Sequence, residues 1–181
     1  MSDEASKTRD ARQRRVTKDH PRMRVEGKKG SKQNALRGEL YNYMINRLTV
    51  AIDNNSFFEV IVICDQLITD RLEAYTQYLL FTHDLQHHTD SVGNSLQAFY
   101  AAMKDARIKK DKDIKDILKG IEKFVGDRNE VLHNFIIVKN KNRNEKLDDK
   151  IARAQGVAAY APDLWRSFAS WTRKNTKTPN D

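Results

Sequence analysis

An arginine, an amide and an imidazole lie close together in the most regular helical pattern of the chain, as Arg128, Asn129 and His133. Residues four apart on a helix are neighbours, so Asn129 and His133 would lie side by side. Arg128 is about 140° round the helix axis from His133, but its long side chain could reach the same place. A permanently charged guanidinium, an amide and a titratable imidazole together suit chemistry on a phosphodiester.

The helix that would position these groups is predicted from apolar residues that recur every three or four positions. Arg128 lies on the same repeat, where the pattern predicts an apolar residue. We expect Asp113 to cap this helix and the basic run at 139–141 to end it. The repeat consists of Ile114, Ile117, Leu118, Ile121, Phe124 and Val125 upstream, and of Val131, Leu132, Phe135, Ile136 and Val138 downstream.

Two helices are predicted before it, followed by a shorter third helix over 95–108. The second begins with Ser56 and Glu59, which have the spacing of a capping box, and extends towards Gln86. Its middle, 60–64, is apolar all round, which indicates a central, largely buried helix. The first spans 35–53, and its predicted inner face carries Leu36, Leu40, Tyr43, Met44, Leu48 and Ile52.

A fifth helix is expected over 145–160, and Pro162 is expected to start a short last helix in which Trp165 and Trp171 anchor the packing. Base stacking on these indoles is the alternative role for them. No segment has the pattern of a strand. The sequence therefore predicts an all-α fold, a helical bundle of five or six helices.

Positive charge is concentrated in the N-terminal part of the chain. Residues 1–37 hold 12 Lys and Arg against 5 Asp and Glu, so most of the net charge of +8 lies there. We interpret residues 1–33 as a disordered basic arm, 34–174 as the bundle domain and 175–181 as a frayed tail. The arm either contacts RNA phosphates or is a solvated tail. The arginines that could contact RNA include Arg12, Arg14 and Arg15.

The cysteine content and the lack of long apolar runs indicate the cellular compartment. The single cysteine, Cys64, excludes an intramolecular disulfide and is expected to be a small core residue. We find neither the apolar core of a signal peptide nor a run of 18 apolar residues, so we expect no membrane segment and a cytoplasmic protein.

Arg128, Asn129 and His133, late on a long helix of an all-α domain, resemble the Arg-polar-x3-His signature of the HEPN superfamily. Arg15 and His20 have the same Arg-to-His spacing, but Pro21 follows directly and no helical pattern surrounds them. The resemblance covers roughly residues 35–140 and implies a four-helix HEPN-like core. Members include ribonucleases of toxin systems and phage defence, and some members lack nuclease activity. Some also carry acidic or lysine residues on an earlier helix, and no motif locates these here.

The resemblance implies a metal-independent endoribonuclease without a cofactor, working as a homodimer whose motif helices face each other. His133 would be the general base or acid, Arg128 would hold the scissile phosphate, and Asn129 would orient His133 or the ribose 2′-OH. Cleavage would leave a 2′,3′-cyclic phosphate, and DNA would not be cut. An inhibitory or activating protein partner is compatible with such a role.

Other interpretations of the sequence stay open. Arg128 could form a structural ion pair and His133 could be an ordinary bundle histidine, in a non-catalytic module that binds RNA or protein. His83 and His87 have a spacing that binds metal in some hydrolases, although we predict no metal site. The lysine stripe that leads towards the motif either guides RNA or is a solvated face, and it consists of Lys112, Lys115, Lys119 and Lys123.

Overall fold

A computed structural model describes residues 32–83, 95–108, 111–134 and 146–176 of the chain. These residues form α-helices, and no strand occurs among them, which confirms the predicted all-α bundle. None of these helices is both long and apolar enough to cross a membrane. The helices are α1 (Lys32–Asp53), α2 (Phe57–Thr82), α3 (Ser95–Asp105), α4 (Lys112–Asn134) and α5 (Leu147–Lys174).

Helix α2 is the centre of the bundle, as its apolar run predicted. It contacts each of the other four helices, and Ile61, Cys64 and Leu79 are fully buried. Arg71 is also buried, and its Nη2 donates to the hydroxyl of Tyr41 on α1 at 3.0 Å. Helices α1, α3 and α5 pack extensively against α2, whereas α4 contacts α2 at few residues and packs mainly against α5.

Helix α1 turns a different face inwards from the one predicted. Its buried side chains belong to Tyr41, Ile45, Leu48 and Ala51, so only Leu48 of the predicted inner face is buried and Met44 is partly buried. Leu36, Leu40, Tyr43 and Ile52 are exposed instead. Both faces of α1 carry apolar residues at helical spacing, and a spacing pattern alone does not decide which of the two is inside.

Helix α2 begins after Ser56 as predicted, but the predicted capping of α2 and of α4 is corrected. Ser56 is the N-cap of α2, but its side chain makes no capping bond. Its backbone N–H donates to the carbonyl oxygen of Ala51 at 2.8 Å, and the Glu59 side chain pairs with Arg47 of α1. Asp111, not Asp113, caps α4, since its Oδ1 accepts from the backbone N–H of Ile114 at 2.8 Å. The side chain that reaches the third helical N–H thus identifies the cap of α4.

Helix α5 is a single helix that contains Pro162, although the sequence predicted a break there. Proline removes one backbone hydrogen bond and crowds the preceding turn, which disfavours a helix interior. Here Pro162 is buried among core residues, and Ala161, Trp165 and Phe168 continue the same packed face. This packing outweighs the local preference of proline against a helix interior. Trp165 and Trp171 are buried and serve as packing anchors, as predicted.

Helices α4 and α5 run antiparallel along most of their length. Trp171 Nε1 lies 3.5 Å from Asp111 Oδ2 at one end. Gly120 packs closely on Leu164 in the middle, and Glu130 pairs with Arg153 near the other end. The pairing fixes the rotation of α4 about its axis and therefore the directions of the motif side chains.

Candidate functional site

Arg128 extends from α4 across to α2 and meets Asp65 there. Its Nε and Nη2 both donate to Oδ1 of Asp65, at 3.1 and 2.8 Å. The side chains retain 25% and 19% of their accessible surface, so the pair is shielded but not sealed from solvent. The position of Arg128 on the inward repeat of α4 is thus explained by a carboxylate that neutralises it.

Asn129 holds the other side of the same guanidinium. Arg128 Nη1 donates to Asn129 Oδ1 at 2.7 Å. A guanidinium carries five N–H donors, and three of those of Arg128 are used by Asp65 and Asn129. Two donors are therefore not engaged by any described residue. A ligand with paired oxygens, such as a phosphate, could accept from them.

His133 lies on the last described turn of α4 and is exposed. Within the described part of the chain it makes no hydrogen bond. The side-chain amide oxygen of Asn129, Oδ1, accepts from Arg128 and not from the imidazole. The structure therefore brings Arg128 and Asn129 into direct contact, while His133 follows one helical turn after Asn129 with its ring in solvent.

The residues that flank Arg128 on α4 are tied to α5. Asp127 accepts from the hydroxyl of Tyr160 at 2.8 Å and also from Lys123, whose Nζ lies 4.6 Å from the centroid of the Tyr160 ring. Burial alone would raise the pKa of Asp127, but these two hydrogen bonds and the charge of Lys123 outweigh it and lower the pKa. Burial and the Asp127 carboxylate raise the pKa of the Tyr160 hydroxyl.

The lysines of the predicted stripe are in different situations. Lys112, Lys115 and Lys119 are exposed, whereas Lys123 is engaged with Asp127 and Tyr160. Because Lys123 is engaged, Lys119 is the better placed of these two lysines to meet a phosphate backbone. Arg12, Arg14 and Arg15 lie outside the described residues.

Asp65 is the residue of this cluster that the sequence did not reveal. It follows directly after the apolar run of α2, and it contacts a residue 63 positions away. An aspartate next to a largely buried apolar stretch of a central helix is the one signal that could have drawn attention to it. Asp65 is therefore an acidic residue on an earlier helix that contacts the motif arginine.

The other constellations do not form a site among the described residues. His83 is exposed at the C-terminal end of α2, and His87 lies outside the described ranges. No group of three possible metal ligands occurs in the described part of the chain. Cys64 is fully buried, and burial is the main reason why the pKa of its thiol is raised to about 12. That thiol is a core group and not a nucleophile.

Comparisons with protein-family models, with curated proteins and with solved structures give no match to this chain.

Proposed function

We propose that the protein is a HEPN-type endoribonuclease that cleaves RNA without a metal ion, in phage defence or in a toxin system. The observation that supports it best is the fixed guanidinium of Arg128, held by Asp65 and Asn129 on the helix that also presents the exposed His133. An arginine with an oriented plane and unused donors is suited to a phosphate.

Arg128 would bind the scissile phosphate and stabilise the negative charge that develops on its oxygens in the transition state. Asp65 would act as a positioning residue, because it fixes the guanidinium plane without contacting the RNA. The Arg128–Asp65 pair has no net charge, so it attracts RNA weakly over a distance. Long-range attraction would come from Lys119 and from the arginines of the N-terminal arm.

His133 would take the proton from the ribose 2′-OH while the 2′-oxygen forms its bond to phosphorus. The bond from phosphorus to the 5′-oxygen breaks, and that oxygen is protonated by a second acid. The products are a 2′,3′-cyclic phosphate and a 5′-hydroxyl end. One chain supplies one histidine in this motif, so a homodimer with facing motif helices would supply both the base and the acid.

The test is incubation of the purified protein with mixed cellular RNA in the presence of EDTA. We expect cleavage with cyclic phosphate ends, and a loss of roughly 10²–10⁴-fold in His133→Ala. His83→Ala is the matched control, because His83 is also exposed near a helix end. Equal cleavage by the wild type and His133→Ala would refute the proposal, and chelator-sensitive cleavage lost in His83→Ala would favour a metallohydrolase.

A non-catalytic module that binds RNA or protein is the second candidate, and the Arg128–Asp65 pair itself favours it. A partly buried arginine neutralised by a carboxylate also fits a purely structural bridge between α2 and α4. This candidate predicts no cleavage by the intact protein and RNA binding that is lost when residues 1–31 are removed. Binding would be measured by fluorescence anisotropy with a labelled RNA at two salt concentrations.

A further inference from the structure

Helix α5 brings a second arginine to the turn of α4 that carries His133. Arg153 Nη1 donates to Glu130 Oε1 at 3.3 Å. Glu130 precedes His133 by three positions, and residues at that spacing are neighbours on a helix. The contact therefore holds the Arg153 guanidinium within one helical turn of the exposed imidazole. Arg153 follows the part of the chain to which the HEPN resemblance extends, so the motif itself does not point to it.

The two arginines lie on opposite sides of His133. Seen along the axis of α4, where each residue is turned by about 100° from the one before, Arg128 is about 140° from His133 in one direction. That direction leads to Asp65 on α2. Glu130 is about 60° from His133 in the other direction, which leads to Arg153 on α5. His133 is thus an exposed group between two cations whose partners belong to different helices.

The two guanidinium groups are not held equally firmly. Arg128 donates two hydrogen bonds to Asp65, at 2.8 and 3.1 Å, and is partly buried. The contact between Arg153 and Glu130 is one long hydrogen bond, and these side chains retain 37% and 46% of their accessible surface. Water screens such an exposed ion pair, which therefore contributes little to stability. A phosphate can displace Glu130 from Arg153 at small cost.

A substrate that contacts both Arg128 and His133 has to pass across α4, because these side chains leave the helix in directions about 140° apart. Continued the same way round the helix, its backbone reaches Arg153. A strand that followed α4 lengthwise would instead meet the exposed lysines. Of these, Lys115 precedes His133 by 18 positions, which is about 27 Å along the helix axis.

We propose that Arg153 binds an RNA phosphate next to the scissile one, so that the strand crosses the C-terminal end of α4 from α2 towards α5. This role rests on the proposed function, because Arg128 and His133 define the position of the scissile phosphate. Arg153 is a binding residue and takes no part in proton transfer. Glu130 holds its guanidinium in the free protein and gives way to the phosphate.

The experiment is fluorescence anisotropy with a labelled oligoribonucleotide too short to span the length of α4. All substitutions are made in the full chain carrying His133→Ala, so that the RNA stays intact. Arg153→Ala should lower the affinity roughly fivefold and reduce the slope of log affinity against log salt by about 0.7, the value for one phosphate contact on a single strand. Lys115→Ala removes the same charge beyond the screening length of about 10 Å in 0.1 M salt, so it should change neither.

Cleavage is measured separately on the wild type. Failure of the proposed reaction is therefore distinguishable from failure of the Arg153 contact. An unchanged salt slope in Arg153→Ala, or equal losses of affinity in Arg153→Ala and Lys115→Ala, would overturn the proposal.

Removing the competing carboxylate gives a test in the opposite direction. Glu130→Gln should tighten RNA binding by roughly two- to fivefold, because Arg153 is then released to the phosphate. Asp163→Asn is the matched control, since it releases Arg166 from an exposed pair on α5, beside the middle of α4. It should leave the affinity unchanged. A gain of affinity cannot come from misfolding, so this comparison is informative even if Arg153→Ala is unstable, and equal effects of the two substitutions would contradict a contact at Arg153.

Discussion

Arg128 donates two hydrogen bonds to one oxygen of Asp65, and this contact joins the motif-bearing α4 to the central α2. Both donors lie on the same edge of the guanidinium, so the bond geometry fixes the plane of the group as well as its position. A lysine ammonium carries the same charge but lacks that edge. Charge and geometry can therefore be separated by a single substitution at Arg128.

Arg128→Lys should lower the free energy of unfolding by about 1 kcal/mol, because a partly buried carboxylate loses one of its two hydrogen bonds. Arg166→Lys is the matched control, since Arg166 pairs with Asp163 on an exposed turn of α5 and should cost at most about 0.5 kcal/mol. Urea denaturation of both variants measures the difference. Equal losses would show that the Arg128 contact has no special geometric role.

Three helical glycines provide a test of the packing between α4 and α5. A methyl group at Gly126 or Gly156 would meet nothing within 4 Å, whereas one at Gly120 would lie 2.8 Å from Leu164 Cδ1. Gly126→Ala and Gly156→Ala should each stabilise the protein by about 0.4–1 kcal/mol, because alanine restricts the unfolded chain. Gly120→Ala should gain less or destabilise, since Leu164 has to move. Thermal denaturation compares the three variants, and a uniform gain would contradict the close approach at Gly120.

The acid stability of the protein should depend in part on Asp127. The pKa of this carboxyl is lower in the folded protein than in the unfolded chain, because hydrogen bonds from Lys123 and Tyr160 outweigh the effect of burial. Its contribution to stability is therefore complete above the unfolded pKa of about 4 and is lost as the pH falls through the folded value. Asp127→Asn should be less stable at pH 7 and lose less stability on acidification. Urea denaturation between pH 7 and pH 3 measures both effects, and parallel pH profiles would contradict the assignment.

Cys64 should be inert in the folded protein. Its side chain is fully buried, and burial is the main reason why the pKa of the thiol is raised to about 12, so little thiolate forms at neutral pH. We expect negligible reaction with a disulfide reagent such as DTNB in native buffer and full reaction of one thiol in guanidinium chloride. Rapid native labelling would show that α2 opens locally around Cys64.

The sequence was sufficient where a structural feature depends on local periodicity. The all-α class, the central position of α2 and the buried anchors Trp165 and Trp171 all follow from apolar spacing. It was insufficient for the inner face of α1, because apolar residues with helical spacing lie on two faces of that helix. It also misplaced the break at Pro162, since a local rule cannot weigh the packing that holds both halves of α5.

The candidate site could also be predicted from the sequence only in part. Arg128 and Asn129 adjoin each other in the sequence, and the structure places them in contact. Asp65 lies on another helix, and its contact with Arg128 depends on how α2 and α4 pack, which no spacing along the chain encodes. The orientation of His133 by Asn129 and the RNA contacts of Arg12, Arg14 and Arg15 stay predictions.

Because α2 contacts all four other helices, no described helix can detach without exposing part of the central core. Local opening events should therefore be confined to helix ends, and the amide protons between Val60 and Leu79 should exchange with solvent only when the whole bundle unfolds. Hydrogen exchange of α2 would then report the global stability of the domain. A ligand that binds only the folded bundle should slow the exchange of all these α2 amides by the same factor. That factor is set by the ligand concentration relative to its Kd.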